Sequence, residues 1–154
     1  MSITIRPAML MDLEDLHKIE IECFKNEAFT KLQISYFLRS QDFVSLVALV
    51  NNEIAGFIIG AIEPYSKTRL GHIYTINVLK KYRRRGVASN LLSAMEKILD
   101  ELGIETCYLE ARADNVAALE LYRKHGYKIT NTIRDYYNAD IDGVQLKKHL
   151  HPMP

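Results

Sequence analysis

Apolar positions recur along the 154-residue chain in two rhythms. Between 87 and 102 they fall at Val87, Leu91, Leu92, Met95, Ile98, Leu99 and Leu102. That i, i+3/i+4, i+7 spacing lines one face of a helix, and Gly103 stands where a C-terminal glycine would stop it. A helical pattern also covers 11–24, with Leu13, Leu16, Ile19 and Cys23 on one face and Asp12 with Asp15 as a candidate capping pair. A shorter helix is expected near 30–40. A fourth is expected over 115–126, where Asn115 or Asp114 can cap the start and Gly126 the end. Dense apolar runs mark strands instead. "FVSLVALV" and "IAGFIIGAI", separated by "NNE", predict a hairpin whose strands are buried on both sides, with Asn51-Asn52 tolerating positive φ at the turn. "ITIRPA" (3–8), "HIYTINVL" (72–79), "TCYLEAR" (106–112), "YKITNTI" and "GVQLKKHL" complete the set, the last two around a loop "RDYYNADID". The order β-α-α-β-β-β-α-β-α-β-β predicts a mixed α/β domain over 1–149 followed by a short tail, 150–154.

Composition narrows the class. The chain is 48% hydrophobic and 25% charged, as ordinary soluble domains are. A net charge of +1 gives no overall field for nucleic acid or a membrane surface, and neither is expected as a partner. Cys23 and Cys107 form neither a disulfide framework nor a zinc-ligand cluster; no metal is expected, and a reducing cytoplasm fits. The start, "MSITIRPAML", lacks the basic-then-apolar layout of a signal peptide, and no apolar run reaches the about 18 residues of a membrane span.

Charge order then singles out one place. Arg83, Arg84 and Arg85 crowd the start of the 87–102 helix, while Asp100 and Glu101 sit in its last turn. Helix dipoles favour the reverse, and no Ser, Thr or Asp caps this start. The 115–126 helix, by contrast, has suitable caps and basic residues at its end. Sites where local rules fail are functional candidates. Free N–H groups at a helix start, a glycine that lets a ligand approach, and forked arginine donors together make an anion site suited to phosphate or pyrophosphate. A solvated turn or a basic patch would also accommodate three arginines. The Walker and Rossmann glycine patterns are absent.

Arg83-Arg84-Arg85-Gly86-Val87-Ala88 matches the [QR]-x-x-G-x-[GA] signature, and the chain resembles the GNAT acetyltransferase superfamily. "LEARADNVAALELYRKHGYKI" (109–129) is similar to that family's second half, and the element order agrees over nearly the whole chain. Within the superfamily "GHIYTINV", "YLEAR" and "RDYYNADIDG" look most like protein N-terminal acetyltransferases, both archaeal-type enzymes and bacterial ribosomal-protein alanine acetyltransferases. The resemblance implies a GNAT fold: a central mixed, mostly antiparallel twisted sheet of about seven strands flanked by about four helices. It implies acetyl-CoA as cosubstrate. The pyrophosphate would lie on backbone N–H groups of 84–89, including those of Val87, Ala88 and Ser89, and the pantetheine arm would pair with a splayed strand end at Ile76, Asn77 and Val78.

Transfer to an amine requires a neutral nucleophile, a proton acceptor and an acid for the departing thiolate. A chain terminus has a reference pKa of ~7.7–8.0 against ~10.4 for lysine, so freeing it of its proton costs about 3–4 kcal/mol less. Glu110 is a lone carboxylate in an apolar strand; its bland reading is a pair with Arg112 on an edge strand. The resemblance implies that Glu110 is the proton acceptor, with His72, at the start of its strand, as a relay. Tyr122, by helical spacing a core aromatic beside Val116, Ala118 and Leu119, would protonate the thiolate, and Asn115 would contact CoA as well as capping its helix. The acceptor would lie between "KNEAFTK", with Glu27 and Phe29, and "RDYYNADID", with Tyr136 and Tyr137. Similar enzymes often carry tyrosine at Phe29, so this chain lacks that hydroxyl. The expected acceptor is a protein or peptide N-terminus, ribosomal proteins included, and the expected state a monomer or homodimer. Two alternatives stand beside it: an enzyme of the same fold acting on lysine, a polyamine or another small amine, and a non-catalytic acyl-CoA-binding regulator.

Overall fold

The computed structural model describes residues 2–138 and 140–150; the expected tail beyond Leu150 lies outside them. Among the described residues, seven strands form one sheet: β1 (Thr4–Pro7), β2 (Phe43–Val50), β3 (Glu53–Tyr65), β4 (Thr68–Val78), β5 (Thr106–Arg112), β6 (Lys128–Asn138) and β7 (Ile141–His149). Their order across the sheet is β1-β2-β3-β4-β5-β7-β6. Every neighbouring pair is antiparallel except β4–β5. Four α-helices pack on it: α1 (Leu13–Phe24), α2 (Lys31–Arg39), α3 (Val87–Glu101) and α4 (Val116–Lys124). This is the mixed, mostly antiparallel sheet expected from the sequence. No helix among the described residues is long and apolar enough to cross a membrane.

The apolar runs of β2 and β3 are explained by burial on both faces. Leu46, Ala48, Val50 and Ile58 face α3 and join Leu91, Leu92, Met95 and Leu99 in one core. Val47, Phe57 and Ile59 face the other way and pack with Leu16 and Ile19 of α1 and Ile34 and Phe37 of α2. The turn between β2 and β3 has Asn51 and Asn52 at φ 53° and 63°, as the sequence suggested.

Two helix starts differ from expectation. Asp12 does not cap α1. A 3-10 turn, Leu10–Asp12, precedes that helix, and the Asp12 carboxylate instead accepts from the Met9 N–H at 2.7 Å and from both terminal nitrogens of Arg6 at 2.9 and 3.0 Å. The pairing with a guanidinium on β1 displaces the local cap. At α2, Thr30 and Gln33 form a reciprocal capping box that the sequence reading missed. β4 and β6 run longer than expected. β4 begins at Thr68, so His72 lies inside it rather than at its start, and most of the expected loop "RDYYNADID" is strand, with Tyr136 and Tyr137 on β6. A register shift between Ile133 and Asn138 accommodates Asp135, whose backbone is left-handed at φ 51°.

One feature of the sheet positions the site. β4 and β5 pair only at Gly71, Ile73 and the residue between them, opposite Cys107 to Leu109. Immediately beyond, Tyr74 is the extra residue of a bulge facing Ile59 and Gly60 of β3. Bulges sharpen twist. From there to Val78, β4 keeps β3 as a partner and parts from β5.

Candidate active site

The parting strands open a cleft of about 480 Å³ between β4 and β5, closed at one side by α4 and at the other by α1 and the segment after it. Its chemistry comes from strand register. Along β5 the side chains alternate: Cys107, Leu109 and Ala111 enter the core, while Tyr108, Glu110 and Arg112 share the opposite face. His72 of β4 is the register partner of Tyr108, and their rings stack at 4.1 Å with planes 16° apart. Tyr74 meets the His72 ring edge-on at 4.7 Å. His72 Nε2 lies 2.7 Å from Glu110 Oε1, and Nδ1 lies 2.8 Å from Oε2 of Glu63 on β3. The Tyr108 hydroxyl donates to the other oxygen of Glu63.

Burial pulls the His72 pKa down, but the hydrogen bonds and charges of Glu110 and Glu63 outweigh it and leave it raised. Burial pushes Glu63 up, and the donors Tyr108 and His72 bring it net below its usual range. Glu110 therefore does not pair with Arg112, and β5 is not an edge strand; it runs between β4 and β7. Arg112 instead bonds Asp114 and reaches Glu27 at 2.8 Å, joining β5 to the segment after α1.

Tyr122 on α4 lines the cleft and is 6% exposed. Its hydroxyl makes no hydrogen bond among the described residues, and burial drives its pKa well above the ordinary tyrosine value, so it keeps its proton at neutral pH. Val116, expected beside it in the core, is exposed at the first turn of α4 instead. Asn115 caps that helix, accepting from the Ala118 N–H at 3.2 Å, and also borders the cleft. Glu27, Phe29, Tyr136 and Tyr137 line the cleft from both sides, and Ile76 and Ala88 border it on the β4–α3 side.

The arginine turn takes the form anticipated at its glycine. Gly86 is the N-cap of α3 at φ 84°, with no side chain capping the helix start. Arg84 is also left-handed, at φ 64°. Tyr82 donates to Glu53 at 2.5 Å and Lys81 pairs with the same carboxylate, fastening the turn to β3. Arg83 departs from expectation. Its Nε donates to the Val78 carbonyl at 3.0 Å, so it braces the end of β4. Val87 is buried in the core, and the Ser89 hydroxyl lies 2.8 Å from His125 Nε2. The Asn77 side chain is buried, and a Cβ added to Gly56 of β3 would lie 2.3 Å from the Asn77 carbonyl oxygen.

Two acidic residues escaped the sequence reading. Glu63 closes an apolar strand run, where a carboxylate ending "IAGFIIGAI" could have been noticed. Glu20 is 1% exposed on α1, four residues beyond Leu16 on the same helix face. Its Oε1 accepts from Thr75 at 2.8 Å and Asn77 at 3.0 Å, and its Oε2 from the Phe29 N–H at 3.1 Å. Burial raises its pKa against these donors. No group of three or more His, Cys, Asp or Glu among the described residues is arranged to hold a metal ion.

A sheet that splays beside a glycine-capped helix start, with a carboxylate and a shielded tyrosine facing the opening, defines an acyl-transferase class of site, and residues 13–127 match the acetyltransferase (GNAT) family model. The chain belongs to that family. It is 32% identical over 157 residues to the N-alpha-acetyltransferase of Saccharolobus solfataricus, covering 96% of this chain and 93% of that protein. Its structure resembles Ard1 from Thermoplasma volcanium, with a TM-score of 0.86, 28% identity and coverage of 99% of this chain and 100% of that one. The ribosomal-protein-S18-alanine N-acetyltransferase from Escherichia coli shares the fold, with a TM-score of 0.86 at 22% identity over 99% of this chain and 97% of its own.

Proposed function

We propose that the protein transfers an acetyl group from acetyl-CoA to the α-amine of a protein or peptide N-terminus, directly and without a covalent enzyme intermediate. The observation that carries this reading is Glu110, a carboxylate facing the cleft on the face of β5 opposite the core. Similarity to N-alpha-acetyltransferases over nearly the full chain favours an α-amine over other acceptors.

Acetyl-CoA supplies the acetyl group as a thioester. The N–H groups from Arg84 to Ser89, at a helix start that no side chain caps, fit its pyrophosphate, with Arg84 and Arg85 adding charge and Gly86 leaving the approach open. The backbone of Ile76 and Val78, on the side of β4 that β5 has left, fits the pantetheine amides, and Asn115 borders the same path. Glu27, Phe29, Tyr136 and Tyr137 hold the acceptor peptide. Glu110 takes the amine proton, directly or through one water, as the nitrogen attacks the thioester carbon. The C–S bond breaks, and Tyr122 gives its proton to the departing sulfur. Nothing in this scheme needs a metal. A ribosomal protein is one candidate acceptor, and the reading is of a cytoplasmic enzyme that works as a monomer or homodimer.

Incubation with acetyl-CoA and a panel of free-terminus, α-blocked and lysine-containing peptides, together with polyamines, read by mass spectrometry, tests the reading. Acetylation of free termini is expected. Modification of lysine or polyamine alone would give the acceptor to another amine class, and binding of acetyl-CoA without turnover would make the chain a regulator.

A further inference from the structure

Glu63 takes no part in the scheme above, yet it touches His72, the expected proton relay. Its Oε2 lies 2.8 Å from His72 Nδ1, and Glu110 Oε1 lies 2.7 Å from Nε2. An ionised carboxylate only accepts hydrogen bonds, whereas a neutral imidazole carries a single N–H. With a neutral ring between two carboxylates, one of these contacts would set lone pair against lone pair. A second proton must therefore reside on the ring or on one of the acids.

We propose that Glu63 and Glu110, one at each ring nitrogen, hold His72 as a doubly protonated imidazolium, so that His72 is a fixed cation beside the Glu110 carboxylate and not a proton acceptor. Three observations place the proton on the ring. Glu63 receives a donor on each oxygen, His72 on one and Tyr108 on the other, and donors to a carboxylate favour its ionised form. The Tyr108 ring lies flat on the imidazole at 4.1 Å, and an aromatic face favours a cation. The reference pKa of histidine, ~6.5, also exceeds that of glutamate, ~4.3, so a shared proton goes to the ring first.

The surroundings agree in sign. β3 contributes Glu63, β4 contributes Tyr74, and β5 contributes Tyr108 and Glu110; Tyr136 and Tyr137 of β6 face Glu110 from across the cleft. Arg112, on the same face of β5, is engaged by Asp114 and Glu27. Two anions thus flank one ring, and a charged ring is the form that satisfies both. Glu63 is on this account a positioning residue: it acts on Glu110 through His72. The imidazolium donates to Oε1 of Glu110 and so orients this carboxylate, which lines the cleft. A proton taken from the acceptor amine then leaves Glu110 for solvent, since Nε2 already bears one.

The protonation state rests on the contacts around the ring, while its bearing on catalysis rests on Glu110 being the base. Nitrogen-15 NMR of histidine-labelled protein separates the two, with His72 assigned by the signal lost in His72→Gln. At about pH 7.5, where a free histidine is about nine-tenths neutral, both His72 nitrogens are expected to be protonated. In Glu63→Gln the amide can donate to Nδ1, and the ring should relax to the neutral Nε2–H tautomer, with at least about a tenfold loss of proton affinity. Tyr108→Phe, which leaves both nitrogen contacts in place, should give a smaller loss and serves if Glu63→Gln fails to fold. In turnover assays on the best peptide, kcat of Glu63→Gln should fall while the KM for acetyl-CoA stays unchanged. A singly protonated His72 in the wild type at that pH, or a titration that Glu63→Gln leaves unmoved, overturns the proposal. If the signals behave as expected but no peptide terminus is acetylated, the imidazolium stands and it is the acceptor assignment that fails.

Discussion

Glu20 Oε2 accepts the backbone N–H of Phe29 at 3.1 Å, while its other oxygen holds Thr75 and Asn77 on β4. One buried carboxylate thereby fixes the height of the cleft-lining segment at Phe29 over the splayed strand. Three donors converge on a group that only accepts. Glu20→Gln puts an NH2 group among those donors and should lower stability by about 1–3 kcal/mol in denaturant unfolding. The KM for peptide should rise while that for acetyl-CoA changes less. An unaltered peptide KM in a destabilised variant would confine Glu20 to the fold.

Glu110→Gln keeps the side-chain shape and loses proton acceptance. Turnover should fall by ~10²–10⁴, with acetyl-CoA affinity nearly unchanged. The deficit should shrink as pH rises, because more of the amine is then already neutral. Tyr122→Phe should show a deficit that persists across the alkaline range, since burial keeps the wild-type hydroxyl protonated there. Near-wild-type turnover in Glu110→Gln would remove the base assignment.

At Gly86 the backbone is left-handed, φ 84°, and a side chain there is strained even though the nearest atom to its Cβ, Asn90 Nδ2, is 3.7 Å away. Gly86→Val should cost about 1–2 kcal/mol of stability. By crowding the N–H groups it should also weaken CoA in calorimetry. Wild-type protein should bind CoA far more tightly than dephosphorylated pantetheine; equal affinities would argue against an anion site at the start of α3.

Asp12 gives the chain a pH-dependent fastening away from the cleft. The Arg6 guanidinium holds its pKa below the usual value, outweighing burial, with the Met9 N–H assisting. A lowered folded pKa stabilises the ionised form. This contribution is complete above the unfolded value of ~3.9 and disappears as pH falls through the lower folded value. Asp12→Asn should therefore lose about 1–3 kcal/mol near neutrality and show a shallower decline in stability toward acid. Unfolding midpoints for both proteins from neutral to acid pH would reveal a parallel decline if the pair contributes nothing.

The elements were legible where one period or one motif decided them. The α3 stripe, its Gly86 start and the two-sided β2–β3 hairpin could be read directly, because burial there follows local spacing. Residues were less legible when their partner came from another strand. Glu110 looks like a partner for Arg112 in a lone strand; only the β4–β5 register brings His72 to it and sends Arg112 to Glu27. Asp12 resembles a cap until β1 supplies Arg6. Glu63 and Glu20 were missed for the same reason: their meaning lies in cross-strand and helix–strand contacts that no short window of sequence contains.

The brief pairing of β4 with β5 also makes the sheet two panels joined by a short seam. One panel is β1–β4 and the other β5, β7 and β6. Behind the seam an apolar layer is continuous, with Ile73, Leu91 and Leu109 in one cluster; in front, the panels face a cleft. The panels therefore part on the cleft side, like a book with a glued spine. A pantetheine arm lying along the free flank of β4 would be a further stitch, so the donor that the enzyme consumes would also complete its architecture during each turnover.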